Sequence, residues 1–189
     1  ATGKIDKSFS FNGSSYITLA NESNFDFERT DPFSIAFWVN MGNNTNKMLM
    51  CKGDDPYSAG TTSGISIWTQ ADWLDVNINA SSSQFIRVRT AIASIEDSTW
   101  HHVTVAYDGS SAASGLTIYY DGVSQSLSTV SDTLTSSSIL NNYPFLIGDS
   151  GAGTRDWTGK LDDLRIYSKE LDQSEIDAIY NGGTGTEDA

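Results

Sequence analysis

The residues of this chain best equipped for chemistry fall into three groups. In GKLDDLRIYSKELDQSEIDAIYNGG, from Gly159 to Gly183, two adjacent carboxylates, Asp162 and Asp163, interrupt what otherwise reads as a strand leading into a short helix. A buried carboxylate is costly without partners. The pair therefore calls for a β-bulge that shifts the strand's phase, an ion pair from Asp163 to Arg165 or another basic group, or a bound hard cation held by oxygen ligands. The second group lies between Lys52 and Arg89, where Tyr57, Trp68 and Trp73 stand close to loops, Asp54 and Asp55 sit in a turn, and Arg87 and Arg89 share a strand face. An aromatic ring against the C–H face of a pyranose, with planar polar groups beside it, is the chemistry of sugar recognition. The third group is GDSGAGTRDW, where Asp149, Arg155, Asp156 and Trp157 punctuate a Gly-rich loop. Each tryptophan has a competing role as packing, and Trp68, which follows Ile65 and Ile67 out of phase, could simply cap the core.

Catalytic arrangements are harder to assemble. The acids Glu22, Asp26 and Glu28 lie in ESNFDFE, a loop-like spacing that suits solvated side chains. No G-x-S-x-G elbow, H-E-x-x-H helix or phosphate-binding Gly loop occurs. His101 and His102 are the only histidines, and neighbours on a strand point to opposite faces, so they cannot chelate one metal together. Cys51 has no partner for a disulfide within the chain and, inside KMLMCK, reads as a buried strand residue.

The elements that must carry these groups are strands. SFSF (8–11), YITL (16–19), FSIAFWVN (33–40), KMLMCK (47–52), GISIWT (64–69) and DWLDVNIN (72–79) come first. QFIRVRT (84–90), WHHVTVAYD (100–108), GLTIYYD (115–121), VSQSLSTV (123–130), YPFLIG (143–148) and WTGKLDDLRIY (157–167) follow. Short, turn-bounded, alternating segments at this density predict an all-β, two-sheet antiparallel sandwich. Asp121-Gly122 predicts a tight hairpin, because both residues tolerate positive φ. Near the C-terminus Leu171, Asp172, Glu175 and Ile176 fit a staple and a capping box, so one short helix should start near Gln173 and stop by Asn181, before Gly182 and Gly183. At two to three turns it must dock on the sheet to persist. Residues 1–183 should form the sandwich and 184–189 a flexible tail.

Composition narrows the partners. With 189 residues, 38% of them hydrophobic, the chain can bury the core of one domain. A net charge of −13 without a Lys/Arg cluster argues against nucleic acid and anionic membranes. No apolar run is long enough for membrane insertion, and ATGKIDKS lacks the apolar stretch of a signal peptide, so the expectation is a removed leader or an excised module.

The order of motifs in WHHVTVAYDGS, GLTIYYDGV, FLIG and WTGKLDDLRIYSKELDQSEIDAIYNGG resembles the laminin-G-like, concanavalin A-like jelly-roll family, in its bacterial and phage branch. SFSFNGSSYITL is similar to the family's opening hairpin, FSIAFWVN to its first tryptophan strand and MLMCKGD to its lysine-glycine strand. The resemblance spans residues 8 to 183 and implies two sheets of six or seven strands, adjacent chain ends and often a structural calcium ion. It further implies that Asp162 or Asp163 meets the Phe11-Asn12-Gly13 turn, with calcium held by Asp162, Asp163, Asn12 and Gly13. Trp38, Trp100 and Tyr107 match the family's core aromatics. The family also hosts glucanases, whose two carboxyl groups, about 5 Å apart in retaining enzymes, come from a strand motif E-[I/L]-D-x-x-E. The lookalike Glu175-Ile176-Asp177-Ala178-Ile179-Tyr180 ends in Tyr and falls in the capped helix, so no enzyme is expected. The expected function is a non-catalytic carbohydrate-binding or adhesion module of a larger secreted, cell-surface or phage tail protein. A structural protein–protein interaction domain of a virion or surface protein is the alternative.

Overall fold

A computed structural model describes residues 1–42, 46–53, 63–151 and 155–186. Alternating residues place one row of side chains inward on each strand, and two antiparallel sheets close on those rows. The six-stranded sheet runs in the order β1 (Phe9–Asn12), β13 (Thr158–Tyr167), β3 (Phe33–Asn40), β8 (Trp100–Tyr107), β9 (Leu116–Tyr120) and β10 (Val123–Ser124). The seven-stranded sheet runs β11 (Ser128–Asp132), β7 (Phe85–Ala91), β6 (Trp73–Asn79), β5 (Gly64–Gln70), β4 (Lys47–Lys52), β12 (Phe145–Ile147) and β2 (Ile17–Leu19). Between them lie Phe33, Ile35, Phe37 and Val39 of β3, Val103, Val105 and Tyr107 of β8, and Ile67, Val76 and Val88 from the facing sheet, all in one buried cluster.

One expected strand divides. The run 123–130 contributes β10 to the six-stranded sheet and β11 to the seven-stranded one, with the chain crossing between sheets at 125–127. The crossing is marked by Gln125 N–H, which donates to the Ile118 carbonyl at 2.8 Å, and by Leu127 packed against the core. Strand propensity was continuous through the segment; which edge each half pairs with is a non-local matter.

Asp121 and Gly122 take φ of 50° and 79°, the positive values that join β9 to β10 in a tight turn. The helix α1 (Gln173–Tyr180) has the expected capping box: Asp172 accepts from Glu175 N–H, and Glu175 accepts from Asp172 N–H. Its C-cap is Asn181, at φ 48°, ahead of the two glycines. Ile176 and Ile179 dock with Leu171, Tyr119 and Tyr167 on the outer face of the six-stranded sheet.

The chain ends meet on that outer face. Ile5 N–H donates to Asp162 Oδ2 at 2.8 Å, and a Cβ on Gly185 would come within 2.6 Å of Ile5. Residues 184–186, expected to be a free tail, are tied down. Gly185 N–H donates to the Tyr180 carbonyl at 3.1 Å, and Arg165 Nη2 donates to both Thr186 oxygens.

Candidate functional site

The aspartate pair resolves by bulge and ion pair together. Asp162 pairs with Trp38 and Arg165 with Ala36, so Asp163 and Leu164 oppose Phe37 alone. Asp163 takes φ 47°. The inserted residue keeps Leu161 on the core side and returns Leu164 and Ile166 to it, whereas strict alternation would have turned them out. Asp163 Oδ1 accepts from Arg165 Nε at 2.8 Å. Asp162 is buried, with Oδ2 on Ile5 N–H and Oδ1 on Asp163 N–H.

The four residues expected to share calcium are not brought together. In the β1–β13 ladder Asn12 faces Thr158 and Phe9 faces Leu161. The Asn12-Gly13 turn therefore lies about 13 Å along the strand from Asp162, at roughly 3.3 Å per residue. Asn12 Oδ1 caps its own turn by accepting from Ser14 N–H and Oγ–H. With Arg165 on Asp163 and two N–H donors on Asp162, this donor set does not fit a hard cation, which wants several converging oxygens. Asp162→Ala should lower stability by about 1.5–3 kcal/mol, the worth of hydrogen bonds to a charged group, and by the same amount in calcium and in chelator. A wild-type melting curve that chelator shifts downward, in protein otherwise unchanged, would restore calcium to this site.

The arginine–tryptophan group does converge, on the outer face of the seven-stranded sheet. Trp68, Asp75 and Arg89 lie side by side across β5, β6 and β7, with Trp73 and Gln70 paired one step along. Asp75 is fully buried, and its carboxylate takes Arg87 Nε at 2.6 Å and Arg89 Nη2 at 3.0 Å. Gln70 Oε1 accepts from Nη2 of both arginines, at 2.7 Å for Arg89. The guanidinium carbon of Arg87 stands 4.6 Å from the Trp68 ring centre and that of Arg89 5.6 Å from the Trp73 ring, both within cation–π range. Trp73 is partly exposed; Trp68 has no exposed surface and packs with Met48, Cys51 and Leu146. Trp73 therefore offers the ring edge or face that a ligand can reach, while Trp68 supports the arginines from beneath. Asp75 and Gln70 were missed in the sequence. Alternation with Leu74 and Val76 would have put Asp75 on the face of Trp73, but nothing local pairs it with Arg87 and Arg89. Tyr57, Asp54 and Asp55 lie outside the described residues.

The Gly-rich loop splits between two environments. Arg155 reaches the same patch, 5.9 Å from the Trp68 ring, and its carbonyl accepts from Met48 N–H at 2.9 Å. Trp157 turns inward instead, fully buried with its ring 5.4 Å from Phe11, so it presents nothing to a ligand as it stands. Burial, together with the hydrogen bond and charge of Asp149, pushes the Asp156 carboxyl above the usual range, with Lys47 opposing.

The acids of ESNFDFE are anchors, not a solvated loop. Lys52 is buried, and its Nζ lies 2.8 Å from both Glu22 Oε2 and Asp26 Oδ1 and 2.9 Å from the Asn141 carbonyl. The histidines diverge as strand geometry requires. His101 Nδ1 lies 2.7 Å from Asp121 Oδ2 and Nε2 3.2 Å from Asp97, whereas His102 is buried on the opposite face beside Trp38. Trp38 thus packs outside the sandwich, whereas Tyr107 lies in its core; Trp100 is partly exposed.

Residues 11–177 match the description of the concanavalin A-like lectin/glucanases superfamily. The adhesion G-protein coupled receptor V1 of Danio rerio is 26% identical over 155 residues, which are 79% of this chain and 2% of that protein. The binding domain of Paraclostridial Mosquitocidal Protein 1 superposes with a TM-score of 0.72 at 17% identity, over 97% of this chain and 45% of that one. Domain 4 of an extracellular arabinanase from Geobacillus stearothermophilus, solved in complex with arabinotriose, gives 0.63 at 23% identity, over 98% and 80%. A heptameric pentraxin from Limulus polyphemus gives 0.64 at 15%, over 95% and 84%. At these identities the structural likenesses speak for a shared sandwich.

Proposed function

Because this chain belongs to the concanavalin A-like lectin/glucanase superfamily, we propose that it serves as a non-catalytic carbohydrate-binding or adhesion module, working outside the cell as part of a larger surface, secreted or virion protein. The observation that carries the reading is the outer face of the seven-stranded sheet. There a partly exposed Trp73 stands beside Arg89, which Asp75 and Gln70 hold in place. Held donors next to an aromatic ring lose little freedom on binding, so more of the contact energy reaches affinity. The arabinotriose complex of one similar domain and the binding role named for another support the reading. Among the described residues no helix is long and apolar enough to cross a membrane.

The test is a glycan array followed by titration of any ligand found. Trp73→Ala should weaken binding by roughly tenfold, about 1.4 kcal/mol, with a small change in melting temperature. Array binding that Trp73→Ala leaves intact would move the site elsewhere on the sandwich. A silent array, with stable capture of a protein partner, would favour the interaction-domain alternative.

A further inference from the structure

The outer face of the six-stranded sheet carries a buried imidazole to which none of the described residues offers a hydrogen bond. His102 faces Trp38 across the β3–β8 ladder and has no exposed surface. Among the described residues neither of its ring nitrogens has a hydrogen-bond partner, and neither does Trp38 Nε1 or, two residues along the same face, Thr104 Oγ1. Its ring centre is 5.1 Å from that of Trp38 and 6.1 Å from that of Tyr180, which stacks on Trp38 at 5.8 Å. The cover over this cluster comes from both ends of the chain. Tyr180 belongs to α1, a Cβ on Gly185 would lie 3.2 Å from Trp38 Nε1, and Lys4 Nζ sits 4.7 Å above the Trp38 ring. Beyond the apolar contacts of α1, the polar ties among the described residues are Ile5 N–H to Asp162, Arg165 to Thr186 and Gln173 Nε2 to the Gly122 carbonyl, while Ser34 Oγ, bonded to Lys169 and Leu171, anchors the chain just ahead of the helix. Terminal segments that add no strand to either sheet open at lower cost than core strands.

We propose that the two termini form an acid-sensitive clasp: protonation of His102 beneath them releases α1 and the end segments from the six-stranded sheet while the sandwich stays folded. An imidazolium has two N–H donors to satisfy, and here it meets an indole, a phenol ring and a threonine. The charged and titratable groups around it are mixed. Asp121, on the β9–β10 turn, attracts a proton to His102, but its carboxylate already holds the backbone N–H of His102 at 2.9 Å and His101 Nδ1 at 2.7 Å. Arg165 on β13 repels one, Lys4 lies on the far side of the cluster against the Trp38 ring, and Asp162 of β13 is spent on Ile5 N–H. From α1 come Tyr180 and, beside Gly122, Asp177; Tyr119 of β9 packs under the helix. Burial dominates, Asp121 offsets part of it and Arg165 adds to it, and the imidazole is pushed down from 6.5 to about 4.

The direction follows from linkage. The closed clasp holds His102 neutral, whereas an opened clasp lets it titrate at its ordinary value. Opening is therefore resisted fully above about pH 6.5 and favoured roughly tenfold more per unit of acidification, until His102 is charged in both states near pH 4. The carboxylates of the helix cap, Asp172 and Glu175, are held below their usual range by the hydrogen bonds of the cap and by Lys169, so they stay ionised to lower pH than free carboxylates do. The first losses on acidification from neutral pH therefore belong to histidine.

Amide hydrogen exchange at pH 7, 5.5 and 4.5, corrected for intrinsic rates, tests the proposal on the intact chain. Protection in segments 1–7 and 173–186 should fall about tenfold per pH unit below 6.5 while β3, β5 and β6 stay protected. In His102→Phe that fall should vanish, which also separates His102 from His101. An imidazole titration of His102 by NMR in the wild type serves if the variant does not fold; a value of 6.5 or above overturns the proposal. So does a loss of protection shared by the core strands, or one that His102→Phe reproduces.

Discussion

Replacing Trp68 with Ala is expected to destabilise the protein by about 3–5 kcal/mol, the cost of removing a large aromatic from a site that cannot collapse around the loss. The indole has no exposed surface and fills the space among Met48, Cys51 and Leu146 on the outer side of β4, β5 and β12. Its removal also takes away the ring beneath the Arg87 guanidinium, 4.6 Å away, a contact worth about 0.5–2 kcal/mol. For a chain of this length the melting temperature should drop by roughly 2–4 °C per kcal/mol. In urea the midpoint should fall with the slope unchanged, the sign of a stability effect. Trp73→Ala is the control, because its ring is partly exposed and stands on the same face. If Trp68→Ala left the midpoint in place and removed ligand binding, the ring would be a ligand platform and not a packing residue.

The second large effect is expected at Asp75. One buried carboxylate holds two guanidinium groups, and deleting it leaves both cations half-buried with Gln70 Oε1 as a shared acceptor. Removing one member of a buried ion pair typically costs about 3–5 kcal/mol, because the uncompensated charge remains. Asp75→Asn should cost less, since it keeps an acceptor oxygen. Arg87→Met added to Asp75→Ala should recover part of the loss, and the double-mutant cycle isolates the pair's coupling. The same substitution frees Arg89 from its place over Trp73, so affinity for any sugar bound there should fall further than the loss of folded protein accounts for. A loss of under about 1 kcal/mol would mean that the pair is solvated and behaves as an ordinary surface salt bridge.

The two substitutions act on one construction. β6 supplies the carboxylate, β7 the cations, β5 the glutamine and the buried ring, and the direct register Trp68–Asp75–Arg89 aligns them. The candidate site is therefore as rigid as the sheet beneath it, and its exposed part, Trp73, borders donors that are already oriented. Such preorganisation is what a binding module needs to gain affinity from a shallow surface.

What the sequence by itself determined was local. The capping box at Asp172 and Glu175, the Asp121-Gly122 turn, and strands such as 33–40 and 47–52 appear where their residues place them. In each, the deciding contacts lie within a few residues of one another. The three ways to accommodate Asp162 and Asp163 were also readable there, and two of them occur at once. Tertiary structure decided the rest. Whether 123–130 is one strand or two depended on which sheet edges were open. Which tryptophan a ligand can reach depended on what lies over a face, not on which face the residue takes, since Trp68 and Trp73 share theirs. Lys52 found Glu22 and Asp26 in one distant segment and Asn141 in another. His102 owes its suppressed basicity to an indole, a phenol ring and chain ends far from it in sequence. Periodicity reports which way a side chain points, because alternation is a property of the strand's own backbone. Burial and pairing are set by what arrives from elsewhere in the chain, and that requires the sheets to have closed.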